Sequence, residues 1–214
     1  MIAPRIPMAK EGYPFIAFSA FVTLTLAFLE WSVPTLAALA VTGFITWFFR
    51  DPERLTPSDQ DALICPADGK VILVEEVDDQ IYLNSRTLKI SIFMNIFNVH
   101  VNRSPCKGKV EQILHRPGNF YSADSSKAAL YNETCATLLT TEHGPRIAVV
   151  QMAGLIARRI ICWAEIGDTL KSGQRFGLIR FGSRVDLYLP LDTQVDVQVG
   201  DKVKAGETIL GRLA

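Results

Sequence analysis

Between Tyr13 and Phe49 the chain carries a single charged residue, Glu30, and no other stretch limits its folding options so strongly. A helix needs about 20 apolar residues to cross a bilayer, with a lower limit near 17, so the halves on either side of Glu30 are each just long enough. Glu30, Ser32 and Pro34 supply a polar turn between them, and Arg5, Lys10, Arg50 and Arg54 flank the open ends. The pattern predicts an N-terminal apolar helical hairpin over residues 1–50. Positive flanks place both ends on the cytoplasmic face of a cell membrane. A pair of buried helices in a soluble core is the alternative, although such helices normally keep a polar face that this run lacks. A cleaved signal peptide fits poorly, because the run is long, begins late and is followed by charged FFRDPER rather than a small-residue cleavage site.

From residue 51 to 214 the character changes. Short runs rich in β-branched and apolar residues, KVILVEEV, IYLN, TLKISIFMNIF, KVEQIL, RIAVVQMAG, RRIICWAEI, RFGLIRF and VDLYLP, are broken by Gly, Pro, Asp and Asn and read as strands. Ser122 to Thr134 is small and polar and reads as a loop with one helical turn. A chain of 214 residues buries one good core, so the prediction is one mainly β domain, sandwich- or barrel-like, behind the hairpin. Ile166-Gly-Asp-Thr-Leu-Lys-Ser-Gly173 returns in pattern as Val199-Gly-Asp-Lys-Val-Lys-Ala-Gly206. Each copy places tight turns around a short strand, with Gly where φ must be positive and Asp bonding back to the backbone. Biotinyl- and lipoyl-carrying domains resemble this repeated turn.

The 22 basic and 22 acidic residues cancel, which removes nucleic acid as an expected partner. Four scattered cysteines and three histidines show no metal-ligand spacing, so no metal is expected and the thiols read as reduced.

Gly182-Ser183 sits in a turn between two strand-like runs. Such a pair is an ordinary turn dipeptide unless helpers converge on it. A serine hydroxyl attacks the preceding carbonyl when the backbone is strained, a base takes its proton and donors hold the oxyanion. Glycine before it tolerates the distortion. His100, at the end of an apolar run, titrates near neutrality and is a candidate base; a packed core histidine is the commoner reading. Asp68 in CPADGK is otherwise a turn carboxylate, yet with His100 and Ser183 it would complete an oriented base and nucleophile.

Taken in order, FFRDPER after the hairpin, PADGK, NIFNVHVNRSPCKG, LHRPGNF, VVQMAGLIARRI and RFGSRVDLYLP resemble the short bacterial and archaeal type of phosphatidylserine decarboxylase, from about Phe48 to Pro190. The resemblance implies self-cleavage between Gly182 and Ser183 into a large chain, 1–182, and a small chain, 183–214. Ser183 would become a covalent pyruvoyl group that forms a Schiff base with phosphatidylserine, releases carbon dioxide and yields phosphatidylethanolamine. His100 and Asp68 match the positions that activate the serine. Longer family members carry a second histidine where this chain has Arg103, which leaves His100 to serve processing and decarboxylation together. The two chains would stay together as a heterodimer, open to further assembly with itself, and meet the lipid at the membrane. Arg103 and Arg158 are the candidates for its anionic head group, with Lys107, Arg116 and Arg159 behind them. A tethered carrier module, a decarboxylase of a soluble amino acid and a membrane-anchored serine peptidase are the competing readings. An intact chain would favour the carrier or the peptidase.

Overall fold

The apolar run folds as two α-helices, α1 (Tyr13–Phe28) and α2 (Ser32–Phe48), in the computed structural model, which describes residues 7–59, 61–123, 125–142, 144–155, 159–180 and 183–213. Pro14 opens α1, where its missing N–H is harmless, and Glu30 turns the chain with a φ of 58°. An apolar helix must satisfy its own hydroxyls, and Thr25, Thr35 and Thr46 each donate to the carbonyl four residues earlier. Thr23 and Thr42 do the same and meet each other at 3.1 Å between the helices. Phe18, Phe21, Phe28 and Leu36 stay exposed on the outside. The segment Lys10–Phe28 is long and apolar enough to cross a membrane, whereas α2, with 17 residues, is shorter. The chain divides into two units, Met1–Glu53 and Arg54–Ala214.

The second unit is mainly β, as the short runs predict. In chain order it holds β1 (Ala62–Ile64), β2 (Gly69–Asp79), β3 (Ser85–Met94), β4 (Val101–Arg103), β5 (Gly108–Arg116), the short helix α3 (Ser126–Tyr131), β6 (Thr134–Thr141), β7 (Arg146–Ala153) and β8 (Ile160–Cys162). There follow β9 (Thr169–Leu170), β10 (Arg175–Ile179), β11 (Ser183–Leu189), β12 (Gln194–Val195), β13 (Lys202–Val203) and β14 (Ile209–Arg212). Eight strands make one curled antiparallel sheet in the order β13-β2-β3-β11-β7-β6-β5-β9; β1-β14-β12 and β4-β10-β8 form two smaller sheets. Strand alternation sorts β11: Val185, Leu187 and Leu189 join the main core with Ile90, Ile92 and Val149, while Tyr188 joins a smaller apolar cluster with Ala136, Leu138, Ala148 and Val150.

One local expectation fails and one strand goes unpredicted, each for a visible reason. Ile81–Asn84 is not a strand, because the Asp79 carboxylate accepts the N–H groups of Ile81, Tyr82 and Leu83 and pulls the chain into a loop. Thr134–Thr141 is a strand that its threonines disguise, yet Cys135, Ala136, Leu138 and Leu139 within it are buried.

The repeated turn sits at both edges of the eight-stranded sheet. Gly167 and Gly200 have φ of 98° and 108°, and Gly173 and Gly206 have 72° and 76°. Asp168 and Asp201 each accept the N–H three residues back, from Glu165 and Gln198, at 2.9 Å. Gly167 N–H donates to Val110 and Gly200 N–H to Val71, both at 2.8 Å. The partner strands begin alike, as Pro66-Ala-Asp-Gly-Lys-Val71 and Pro105-Cys-Lys-Gly-Lys-Val110, and each carries a bulge just after its valine. The halves of the domain are thus built on one plan.

A Cβ at Gly167 or Gly200 meets nothing within 4 Å, so Gly→Ala there is opposed by backbone strain alone and lowers stability by about 1–2 kcal/mol. Gly173→Ala also drives its Cβ to 2.1 Å from Thr56 Oγ1 and lowers stability further. Urea unfolding of the full chain in detergent checks this order; three equal losses would show that Thr56 yields freely.

Candidate active site

Ser183 is the first residue of β11, paired to Met94 at the end of β3 and to Ala153 at the end of β7. It shares the alternation of Val185 and Leu187, is fully buried, and its Oγ has no hydrogen-bond partner among the described residues. Leaving a buried hydroxyl unsatisfied costs about 1–3 kcal/mol, so such a group in a well-packed sheet calls for a functional explanation. Gly182 and Arg158 lie outside the described residues.

His100 is also fully buried and directly precedes β4. Its Nδ1–H donates to the Asn98 carbonyl at 3.0 Å, which fixes the tautomer and makes Nε2 the ring's acceptor. The His100 carbonyl accepts the Ile179 N–H at 3.2 Å, where β10 ends. The turn Asn95–Asn98 links Met94, the partner of Ser183, to His100, and it is closed by Asn98 N–H donating to Asn95 at 3.1 Å and by Asn95 N–H donating to the Asn98 side chain at 2.9 Å. One turn therefore brings the predicted nucleophile's neighbour and the predicted base to the same end of the sheet.

Asp68 is held by partners other than the imidazole. Its Oδ2 accepts from Arg54 Nη2 at 3.0 Å and its Oδ1 from the Ala205 N–H at 2.8 Å; among the described residues it makes no hydrogen bond to His100. The carboxylate ties the repeated turn around Ala205 to Arg54, and the Asn98 carbonyl orients the imidazole. Arg103 is buried, donates to the Gly173 carbonyl at 3.0 Å and packs its stem against Gly206, which makes it a strut between the two repeats. Lys107 pairs with Glu142 at 2.6 Å on the surface.

Two residues escaped the sequence reading. Gln151 Nε2 donates to Asn102 Oδ1 at 2.8 Å, and among the described residues Asn102 Nδ2 reaches only the weak sulfur acceptor of Met94, at 3.8 Å. Both amides are fully buried, and Gln151 Oε1 has no partner among the described residues. They stand beside the neighbours of Ser183, since Gln151 lies two residues from Ala153 on one face of β7. A Cβ at Gly177 would lie 2.6 Å from the Ile161 carbonyl oxygen and 2.7 Å from Gln151 Nε2, so the position admits only glycine. The available signal was an amide at a core-facing position of each apolar run.

Burial makes Cys65 and Cys106 poor nucleophiles. Burial pushes Cys65 upward, aided by the charge of Asp68 and opposed by its bond to the Ala67 carbonyl, and burial pushes Cys106 up to about 12. On β8, a hydrogen bond from Cys135 lowers Cys162 to about 6 and raises Cys135 in turn.

A family model described as phosphatidylserine decarboxylase matches residues 41–211. The chain is 60% identical over 213 residues to the phosphatidylserine decarboxylase proenzyme of Desulfotalea psychrophila, covering 100% of both chains. It is 51% identical over 207 residues to the proenzyme of Syntrophotalea carbinolica and 49% over 207 residues to that of Geotalea uraniireducens, covering 97% of each chain in both cases.

Asp68→Ala removes two hydrogen bonds and leaves Arg54 with Glu207, 3.3 Å away, as its recorded carboxylate partner. Bonds to charged groups contribute about 1.5–3 kcal/mol each, so unfolding in urea, measured in a Ser183→Ala background that keeps processing out of the readout, should show a loss of at least that size. Asp68→Asn, which keeps an acceptor, should lose less. Wild-type stability in Asp68→Ala would refute the anchoring role.

Proposed function

Because the chain belongs to the phosphatidylserine decarboxylase family, we propose that it is a self-processing carboxy-lyase that cuts itself between Gly182 and Ser183 and converts phosphatidylserine to phosphatidylethanolamine. The observation that carries the reading is the buried Ser183 hydroxyl with no described hydrogen-bond partner, at the head of a strand held on both sides.

The chemistry follows from the residues present. Nε2 of His100, its tautomer set by Asn98, takes the Ser183 proton. Oγ attacks the Gly182 carbonyl carbon, the C–N bond breaks, and the proton passes to the new amine, so an ester replaces the peptide bond. Loss of the Ser183 Cα proton then expels Gly182 as a carboxylate. The remaining enamine tautomerises, takes up water and releases ammonia, which leaves a pyruvoyl group at position 183. That group supplies an electron-accepting carbonyl where other decarboxylases use pyridoxal phosphate. The site fits it: the side chain at position 183 is fully buried, Asn102 Nδ2 has donor capacity left to hold a carbonyl there, and Gln151 Oε1 is free to accept a hydrogen bond, among the described residues. Arg158 is the proposed partner for the substrate carboxylate.

After the cut, β11 belongs to the small chain while β3 and β7 belong to the large one. Its bonds to both flanking strands hold the two chains together as a heterodimer. The apolar helices give the domain its place at the cytoplasmic face of the cell membrane, where a diacyl lipid is reached without removing it from the bilayer at about 0.8 kcal/mol per CH₂.

Intact mass of the purified chain in detergent should reveal two polypeptides meeting at Gly182 and Ser183, the smaller lighter than its encoded sequence by one ammonia. Ser183→Ala should give one uncut, inactive chain, and His100→Ala should slow cleavage by about 10²–10⁴-fold, the usual contribution of a general base. Cleavage in Ser183→Ala at the same bond would remove Ser183 from the mechanism.

A further inference from the structure

We propose that Lys70, Lys202 and Lys204 form the subsite for the phosphodiester of the lipid head group, an inference that rests on the substrate being a glycerophospholipid. In the register of β13 on β2, Lys202 stands directly opposite Lys70. Residues so paired have Cβ atoms about 4.5–5.5 Å apart, and like charges there destabilise the sheet. Neither lysine has an ion-pair partner among the described residues. Lys204, two residues beyond Lys202 and lining the same cavity, reaches Glu207 at 3.8 Å, and Glu207 is held closer by Arg54 at 3.3 Å. Asp68 lies in the same cavity, but its charge is shared with Arg54 at 3.0 Å and its other oxygen accepts the Ala205 N–H, and no ion pair joins it to the lysines among the described residues.

The three lysines line one cavity of about 480 Å³ with Asp68, Phe93, Asn95 and Asn98, and three ammonium groups outnumber the one carboxylate there. Its wall is the turn that carries the carbonyl orienting His100 and that begins beside Met94, opposite Ser183. An anion on these ammonium groups would lie next to the reacting end of the site, as a head-group phosphate must when the serine amine reaches position 183. Lysine suits a singly charged diester, for which a compact point charge serves as well as a planar fork.

The fold contains its own control. At the opposite sheet edge the same repeat places Lys109 across from Thr169, and Lys107, at the position equivalent to Asp68, is paired with Glu142 at 2.6 Å. The repeated turn therefore forms without two facing lysines. Their presence on the edge next to His100, and nowhere else in the plan, points to a ligand rather than to folding.

The test uses the full-length Ser183→Ala chain in nonionic detergent, titrated with glycerophosphoserine and separately with inorganic phosphate and followed by ³¹P NMR. Glycerophosphoserine should bind, and the Lys70→Gln/Lys202→Gln double variant should bind it about tenfold more weakly, with recovery in Lys70→Arg/Lys202→Arg. In the self-cleaving chain, the Gln variant should raise KM for short-chain phosphatidylserine in micelles about tenfold, with a much smaller change in kcat; its self-cleavage reports that it is folded. Equal binding by the Gln variant and its parent overturns the proposal. So does tight binding of inorganic phosphate with none of glycerophosphoserine, or a loss confined to adsorption on phosphatidylglycerol vesicles, which would make the lysines a general membrane contact. Lysine-dependent glycerophosphoserine binding in a chain that never releases carbon dioxide from phosphatidylserine would leave the subsite standing and remove the proposed reaction.

Discussion

The hydrogen bonding of β11 on both edges is the constraint from which the rest follows. A strand placed between β3 and β7 has its register set along its whole length, because a one-residue slip would turn Val185, Leu187 and Leu189 out of the core and Arg184, Asp186 and Tyr188 into it. The other face resists the slip as well. Arg184 donates to both oxygens of Asp186 and to Ser91 at 2.9 Å, and Lys89 approaches the same carboxylate at 3.5 Å, all of them buried. Breaking one partner out of such a group strands a charge in low dielectric, a loss of about 3–5 kcal/mol. Ser183 thus inherits its position from a strand locked on two faces and two edges.

The duplicated plan of the domain explains how a catalytic end arises from a symmetric scaffold. Both edges use the same glycines at positive φ, the same aspartate caps and the same Gly-Lys-Val strand openings. They differ in a few side chains. Asp68 receives Arg54 where Lys107 receives Glu142, and Lys202 stands where the other copy has Thr169. The backbone of the repeat answers to stability alone, so its polar substitutions are free to carry chemistry on one side.

Much of this was legible in the sequence, and the reason for each failure is physical. Period and composition revealed the helices and most strands, and the repeat announced itself because positive φ demands glycine at fixed positions. Gly182-Ser183 stands out in the sequence only through the motifs around it. What could not be read were interactions decided by tertiary proximity. Asp68 pairs with Arg54, 14 residues away, and with the backbone of Ala205, 137 residues away, and no local pattern reveals that. Asn102 and Gln151 looked like polar interruptions of apolar strands until their faces were known. Ile81–Asn84 had strand composition, but one carboxylate at Asp79 outbid it by offering three N–H groups a nearer acceptor.

The burial of Ser183 also bears on the outcome of the proposed self-cleavage. At the ester stage two routes compete: water attacks the ester and restores a plain serine terminus, or the Cα proton leaves and the elimination proceeds toward the ketone. The first route needs an attacking water at the Gly182 carbonyl; the second needs only a base. A side chain with no solvent exposure, set among Met94, Ala153 and Val185, disfavours the bimolecular route and leaves the intramolecular one nearly intact. The same dry setting that makes an unpartnered hydroxyl costly to the fold is therefore what would commit the cut chain to a cofactor instead of a dead terminus.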